Sequence, residues 1–402
     1  MNQKISDYLS GISHNVKILL IISIIFGGTF GIYDLILPFY LKERNISFHN
    51  MGYIFSIASV GMFLAQIYLG NLSDQWGRKP FYALALLVSC LASGLTPFVA
   101  SLLLLIILKT LWDVGGVIRS IMHPILLYED NRSKFMDFLG KTRGIEFLFQ
   151  AGGTLVALFT LTSLGYSGNL WIAGAGLACA CFLFAFSYRE RKNVAAKKSF
   201  GTKSLLSWRD LSHNLKVIVV AYFIFTIGLR TSHNFIMPLF FKEKFGATDQ
   251  AVFWVMLIHR ITIALPMLFI GNIQVKNLKA TYIITVLFEG FTIAVSAFIP
   301  NFIAASAVWL LHDFVGAGVW MPIQSAIIQE YSREGARGLD VSKTLAFSSI
   351  GGIFGPLLAG YISPFWISGP FFISGVITIM SAVVLFKLSL KENTVTLTVH
   401  ET

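Results

Sequence analysis

Ionisable residues stand in this sequence where an apolar interior would ordinarily exclude them. Asp34, Asp113, Arg119, Glu146, Arg230, His233, Glu289 and Asp313 all fall inside long apolar blocks, as do Lys109, Arg143 and the pair His259-Arg260. An ionised group at mid-bilayer costs at least ~2.5–3.5 kcal/mol, so each needs a partner, water or a purpose. The chemistry open to such a set is the holding of charge: loading and releasing a proton, or binding an anion or zwitterion. Metal-protease chemistry lacks its His-Glu-x-x-His. Cys90, Cys179 and Cys181 lie in apolar blocks with neither metal-ligand spacing nor a disulfide framework, and no cofactor is implied.

Helical spacing sorts these residues onto faces. At 100° per residue, Lys109, Trp112, Asp113, Gly116, Arg119, Ser120 and His123 share an arc of roughly 120°. Leu111, Val114, Val117, Ile118, Ile121 and Met122 take the opposite side. Trp309, His312, Asp313, Gly316, Trp320 and Gln324 repeat the polar face in a later block. Thr142, Arg143, Glu146, Gln150 and Gly153 form another face, and Thr226, Arg230, His233 and Asn234 a fourth. Lys109 and Asp113, four apart, are spaced to neutralise each other, and Arg143 is near enough to a block end to snorkel. His259-Arg260 and Glu289 are candidates for structural pairing within the second half. Asp34, Arg119 and Arg230 have no helical neighbour of opposite charge and are the expected proton- or solute-binding groups. Glu146, Asn234, Trp112 and Trp320 join them as expected cavity residues.

The elements that must hold these faces follow from composition. Of 402 residues, 55% are hydrophobic and only 13% charged, too few for the wet shell of a large soluble domain. The apolar residues gather into blocks of about 20, the length that crosses a ~30 Å hydrocarbon core. The segmentation predicts an all-α integral membrane protein with twelve spans, near 17–41, 51–70, 81–98, 101–127, 142–162, 169–187, 215–241, 251–272, 281–299, 302–329, 343–362 and 366–388. The first block is too long for a signal-peptide core and is expected to be retained. The net charge of +11 suggests nucleic acid, but its placement argues against it. Of the 31 Lys and Arg, only Lys42, Arg44, Lys242 and Lys244 fall in the outer loops. That asymmetry predicts cytoplasmic termini and a cytoplasmic central linker in a plasma (inner) membrane protein, whose basic excess meets anionic lipid. A monomer is expected.

Internal repetition sets the expected domains: a six-helix bundle over 1–188, a linker over 189–214 and a second bundle over 215–402. Leu37-Pro38-Phe39-Tyr40-Leu41-Lys42-Glu43 recurs as Met237-Pro238-Leu239-Phe240-Phe241-Lys242-Glu243, Trp112-Asp113 as His312-Asp313, and Lys141-Thr142 as Lys343-Thr344. Gly153 recurs as Gly355. Such ordered matches at a nearly constant offset of about 200 indicate parallel repeats, an arrangement that puts a solute site between the halves. The linker, with Arg191, Lys192, Lys197, Lys198 and Lys203, reads as a solvated anchor, and Ser204–Asp210 as a short helix on the membrane face.

Between the second and third spans stands Gly70-Asn71-Leu72-Ser73-Asp74-Gln75-Trp76-Gly77-Arg78-Lys79-Pro80. It resembles the G-x-L-x-D-x-x-G-R-K/R loop of the major facilitator superfamily, and a weaker copy runs from Gly271 to Lys279, with Val275 in place of Asp74. The resemblance implies two pseudo-symmetric six-helix bundles that rock about a central cavity, with Gly70, Asp74, Gly77, Arg78 and Lys79 in a cytoplasmic gate. Gly351-x-x-x-Gly355-Pro356 in the eleventh span is the other expected gating element, where small residues allow close packing and the proline a bend. Asp34-x-x-x-Pro38 is similar to the first-span pattern of drug/proton antiporters in that superfamily. A carboxylate there can take a proton on one side and release it on the other, since desolvation disfavours its charged form. The antiporter motif of the fifth span and the span-4 R-x-x-Q-G are absent. The leading expectation is therefore proton-coupled export of a small amphiphilic or carboxylate-bearing molecule of drug or siderophore type. The alternative is proton-coupled uptake of a small organic anion or zwitterion. An enzyme is not expected: Gly165-Tyr166-Ser167-Gly168 is similar to the G-x-S-G of rhomboid proteases but falls between spans, where a turn is the ordinary reading.

Overall fold

Lipid offers backbone amides no hydrogen-bond partner, so each apolar block must satisfy its own. The computed structural model obeys this throughout the residues it describes, 12–130, 135–190, 207–269, 277–333 and 337–390, with helices and no strand. The first half runs α1 (His14–Glu43), α2 (Phe48–Trp76), α3 (Arg78–Leu95), α4 (Leu102–Asp130) and α5 (Phe135–Ser187). Gly165 folds α5 into two arms, at φ 61° and ψ −169°, a left-handed region natural to glycine. The second half runs α6 (His213–Ser232), α7 (Ile236–Phe245), α8 (Asp249–Phe269), α9 (Leu278–Ser296), α10 (Phe302–Leu311), a π-helical turn (His312–Ala317), α11 (Gly318–Glu330), α12 (Arg337–Ser349), α13 (Gly351–Ile362) and α14 (Gly369–Leu385).

The twelve crossings are α1 to α4, the two arms of α5, α6–α7, α8, α9, α10–π–α11, α12–α13 and α14. Among the described residues, length and hydropathy alone pick out eight helices able to span a membrane. One of these is the folded α5, which crosses twice, whereas α4 interrupts its apolar run with Lys109, Asp113 and Arg119. Of the expected membrane-face helix, residues 204–206 lie outside the described residues and 207–210 form a bend and turn. The weaker second gate loop at 270–276 and most of the basic linker also lie outside them.

The repeat is built into the ends of the bundles. Ser13 caps α1 at Val16 N (3.2 Å), and Ser212 caps α6 at Leu215 N (3.4 Å). Next to them Asn15 makes two bonds with the Arg189 backbone, and Asn214 makes the same two with Ser389. His14 reaches the Ser187 carbonyl and His213 that of Lys387. Thus the triplet Ser-His-Asn clasps the start of each bundle to its end.

Close packing repeats as well. A Cβ on Gly153 would collide with the Gly28 backbone of α1, and one on Gly355 with Arg230 and Thr231 of α6. Between the halves, α2 lies along α12 and α13, and α5 along α8. Where α2 crosses α13, a Cβ on Gly52 would stand 2.8 Å from the Pro356 carbonyl oxygen, and one on Gly360 2.7 Å from that of Phe48. At the end away from the Ser-His-Asn clasps the halves are latched. Lys42 pairs with Glu243 at 3.4 Å, Tyr166 donates to Asp249, and the Tyr53 and Tyr361 hydroxyls meet at 2.5 Å.

Replacing Gly153 by Leu should therefore destabilise the first bundle by about 1–3 kcal/mol through overpacking. Gly94→Ala, where a Cβ meets nothing within 4 Å, should be neutral or mildly stabilising. Thermal unfolding of the two purified variants in detergent measures the difference.

Candidate functional site: a charged aromatic cavity between the halves

The α4 face predicted from spacing does look inward. Lys109, Trp112, Asp113, Gly116, Arg119 and Ser120 line a cavity of about 220 Å³. The facing walls come from α1 (Phe26, Phe30, Tyr33, Asp34, Leu37), α2 (Phe55, Met62), α5 (Arg143, Glu146, Gln150) and α6 with the break after it (Arg230, Asn234). The break arises because the chain leaves helical geometry at His233–Phe235 before resuming as α7, whereas α1 continues unbroken past Asp34. Trp112 stacks on Tyr33 at 3.6 Å between ring centroids, giving the cavity a rigid aromatic wall.

Most charge in the cavity is paired, and the pairs differ from what sequence spacing allowed. Lys109 and Asp113 do bond along their helix, at 2.5 Å. Arg119, which has no acidic neighbour on its own helix, grips Glu146 of α5 with both terminal nitrogens, at 3.1 and 2.8 Å. It also lies over the Phe26 ring at 3.8 Å and is 2% exposed. Arg143 stands 3.7 Å from the same Glu146. Asp34, likewise without a helical neighbour of opposite charge, is bonded by Arg260 from α8, which holds Gln150 of α5 as well at 3.2 Å. Spacing does not single out that arginine as a cavity residue; nothing within α8 signals that it reaches across to the other half.

Arg230 is the exception. It donates to Asn234 at 3.1 Å, and among the described residues no carboxylate pairs with it. The cavity thus presents four basic groups (Lys109, Arg119, Arg143, Arg230) against three acidic ones (Asp34, Asp113, Glu146), with Arg260 already committed to Asp34. The surplus is positive, and it is carried where a solute would touch it.

Four of the expected site residues do not line this cavity. Asp313 is buried against His259 at 2.5 Å, His233 meets His312 at 2.7 Å, and the Trp320 indole donates to Glu289 in the packed interior of the second half. Trp320 packs edge-on against Phe225 in that interior and is not among the residues lining the cavity.

The expected gate residues divide similarly. The side chains at Gly70 and Asp74 lie outside the described residues. Arg78 bonds Glu129 at the end of α4 (3.0 Å), and Lys79 caps the end of α5 at the Tyr188 carbonyl (2.7 Å), as Lys279 caps α14 through Phe386 and Leu388. Gly77, at φ 90°, makes the turn between α2 and α3. These three tie the first bundle to itself, while Gly355 packs α13 on α6 and Pro356 meets α2 across the halves.

A duplicated twelve-helix bundle enclosing a charged, aromatic-walled cavity between its halves is the build of a membrane solute transporter. The chain belongs to the Major Facilitator Superfamily, whose sequence profile matches residues 19–311 and again residues 218–401. A protein of Bacillus subtilis (strain 168) named for niacin/nicotinamide transport, NiaP, is 26% identical over 345 residues, spanning 83% of this chain and 84% of that one. The niacin transporter NiaP of Acinetobacter baylyi is 27% identical over 140 residues, 34% of this chain and 31% of its own. Among solved structures, a point mutant of the nucleoside transporter NupG superposes with a TM-score of 0.75 at 12% identity, over 92% of this chain and 98% of that one. The human organic anion transporter MFSD10 superposes at 0.71 and 14% identity, over 92% and 99%. Both structures share the fold. These likenesses identify a transporter and not an enzyme; Ser167 lies just past the α5 fold.

The Arg119–Glu146 pair makes a direct prediction. Breaking a buried pair from one side typically costs about 3–5 kcal/mol, whereas removing both charges is far milder. Glu146→Gln, which strips Arg119 and Arg143 of their carboxylate, should lower the unfolding temperature sharply, and the double variant Arg119→Met/Glu146→Gln should recover most of the loss. A double variant no more stable than the single one would show that the pair does not act as a unit.

Proposed function

We propose that this transporter takes up a small aromatic or heteroaromatic carboxylate of the nicotinate type, together with a proton. The observation that carries the reading is Arg230, a guanidinium in the cavity wall with no carboxylate partner among the described residues. A charged hydrogen bond to a solute carboxylate is worth roughly 1.5–3 kcal/mol, enough to select an anion. The Tyr33–Trp112 stack and the rings of Phe26, Phe30 and Phe55 supply a surface for a flat ring. The names of the two NiaP relatives agree with this class of solute.

Orientation follows the basic residues, which put the Ser-His-Asn clasps on the cytoplasmic side. On that assignment the latches at Lys42–Glu243 and Tyr166–Asp249 close the outer end, and the cavity belongs to an inward-facing conformer. The bundle boundaries suggested by the repeat, 1–188 and 215–402, are the rigid bodies that rock. The coupling proton is assigned to Asp34, which is 37% exposed at its side chain and is held by Arg260 across the halves.

The competing reading, export of an amphiphile, rests on Asp34-x-x-x-Pro38 and its likeness to drug/proton antiporters. A cationic drug drawn to Asp34 would first have to displace Arg260, into a cavity already rich in positive charge. That favours an anion.

Uptake of labelled nicotinate into proteoliposomes, driven by an inwardly directed proton gradient, tests the proposal. Arg230→Gln should raise KM by about 10-fold or more, from loss of one charged hydrogen bond. Asp34→Asn should keep counterflow exchange but lose its response to the gradient. Failure of the parent protein to exchange nicotinate would reject the substrate class, and a gradient response intact in Asp34→Asn would reject that residue as the proton site.

A further inference from the structure

The repeat gives equivalent positions unequal chemistry. Offset by 200, Tyr33 and Trp112 of the cavity wall correspond to His233 and His312, and Lys109 to Trp309. Where the first half stacks two aromatic rings, the second sets two imidazoles edge to edge, with Nε2 atoms 2.7 Å apart. His259 of α8 brings a third ring, its centroid 6.2 Å from that of His233 and 5.8 Å from that of His312. Asp313, equivalent to Asp113, has lost the lysine partner and faces imidazoles instead, with Oδ2 2.5 Å from His259 Nδ1 and Oδ1 3.2 Å from His312 Nε2.

We propose that His233, His259, His312 and Asp313 form a binding site for a divalent transition-metal ion of the zinc class. One ligand atom from each of His259, His312 and Asp313 already lies within 4.8 Å of the others, and all three residues are buried. His233 stands beside them, its Nε2 2.7 Å from that of His312, and is the proposed fourth ligand. Three imidazole nitrogens and one carboxylate are a donor set for Zn²⁺, Co²⁺ or Ni²⁺; Mg²⁺ and Ca²⁺ prefer oxygen throughout.

The surrounding contacts fit a ligand set. A metal-bound histidine usually engages its second nitrogen with a carbonyl, carboxylate or other polar group, which fixes tautomer and ring orientation. His312 Nδ1 contacts the Trp309 carbonyl, leaving Nε2 directed at the cluster, and His233 Nδ1 contacts Ser232 Oγ at 2.7 Å. Thr262 donates to Asp313 Oδ2 at 3.2 Å. Asp313 Oδ1 has no hydrogen-bond partner despite its nearness to His312, so the two are close without being aligned. Nearby Glu289 also has a buried oxygen without a partner, and among the described residues no Lys or Arg pairs with either carboxylate. Two buried carboxylates without a basic partner are a local feature that favours a cation beside them.

The ligands come from three elements. His233 stands in the break between α6 and α7, His259 on α8, and His312 and Asp313 on the π-helical turn, a distortion often found at functional sites. A bound ion would fasten the broken helix to two neighbours. His233 is half-buried and adjoins Asn234 of the cavity wall.

The test uses the full-length protein in detergent, freed of metal by chelation and titrated with Co²⁺. One equivalent should bind with the visible absorption of a four-coordinate nitrogen–oxygen site, be displaced by Zn²⁺, and raise the unfolding temperature. His312→Ala and His259→Ala should abolish the absorption, and His49→Ala, which packs on Tyr361 outside the cluster, should not. Thr262→Val should keep the spectrum while weakening affinity by about 10–100-fold. If the alanine variants aggregate, the near-isosteric Asp313→Asn serves instead and should bind more weakly than the parent. The proposal is overturned if the parent binds no stoichiometric Co²⁺, or if the cluster variants bind as it does. Absence of Co²⁺ binding, with a proton dependence of transport that follows His312, would assign the cluster to protons alone.

Discussion

An ionised side chain inside a bilayer has to find its counter-charge within the protein, and this requirement organises the molecule more than any single helix contact does. In the first half it is met locally: Lys109 by Asp113, Arg119 by Glu146, with Arg143 leaning on the same carboxylate. Between the halves, within the cavity, it is met by Asp34 and Arg260, so that neutralising one group means bringing two bundles together. Arg230 is left over. In so costly a setting an unpaired guanidinium requires water or a visiting anion.

Duplication supplies the frame on which this charge is placed, and the two copies have diverged from the ends inward. At the bundle ends the copies still match atom for atom in role: Ser13 and Ser212 as caps, Asn15 and Asn214 as clasps, Lys79 and Lys279 closing the last helix of each half. Near the middle they differ. Asp34 corresponds to Asn234, Tyr33 to His233 and Lys109 to Trp309, and only the second copy breaks its first helix. End contacts satisfy backbone groups, a demand identical in both halves. The centre is under no such common demand.

The architecture is legible in the sequence because its signals are local. Span length, the basic asymmetry and the inward face of α4 depend on periodicity within one segment, and Lys109–Asp113 is a pair one helical turn apart. Arg119–Glu146 and Asp34–Arg260 depend on which helices lie side by side, information that no single segment carries. Spacing turns both Arg119 and Glu146 inward, yet it does not say that they face each other. Trp320 shares the spacing of the cavity residues but packs on Phe225 and bonds Glu289, since a polar stripe marks the side turned from lipid without saying whether it meets solute or core. The Ser-His-Asn repeat is present in the sequence and strengthens the duplication; its short length hides it among longer matches.

The position of Asp34–Arg260 bears on how binding and movement are connected. An anion entering the proposed site adds negative charge beside two arginines, one unpaired and one shared with Asp34. It would compete with Asp34 for Arg260, and protonation of Asp34 would remove the competitor. Solute anion plus proton then replaces one ionised carboxylate by another, leaving the charge of the cavity as it was before loading. Either ligand alone changes that charge by one, in surroundings where an uncompensated charge is costly. On the proposed reading, rocking is permitted when both sites are filled or both are empty, because only those two states carry the same interior charge while the halves exchange partners. A conformational change follows a ligand only through such a difference in interaction between states, and here the difference is the ion pair that joins the two bundles.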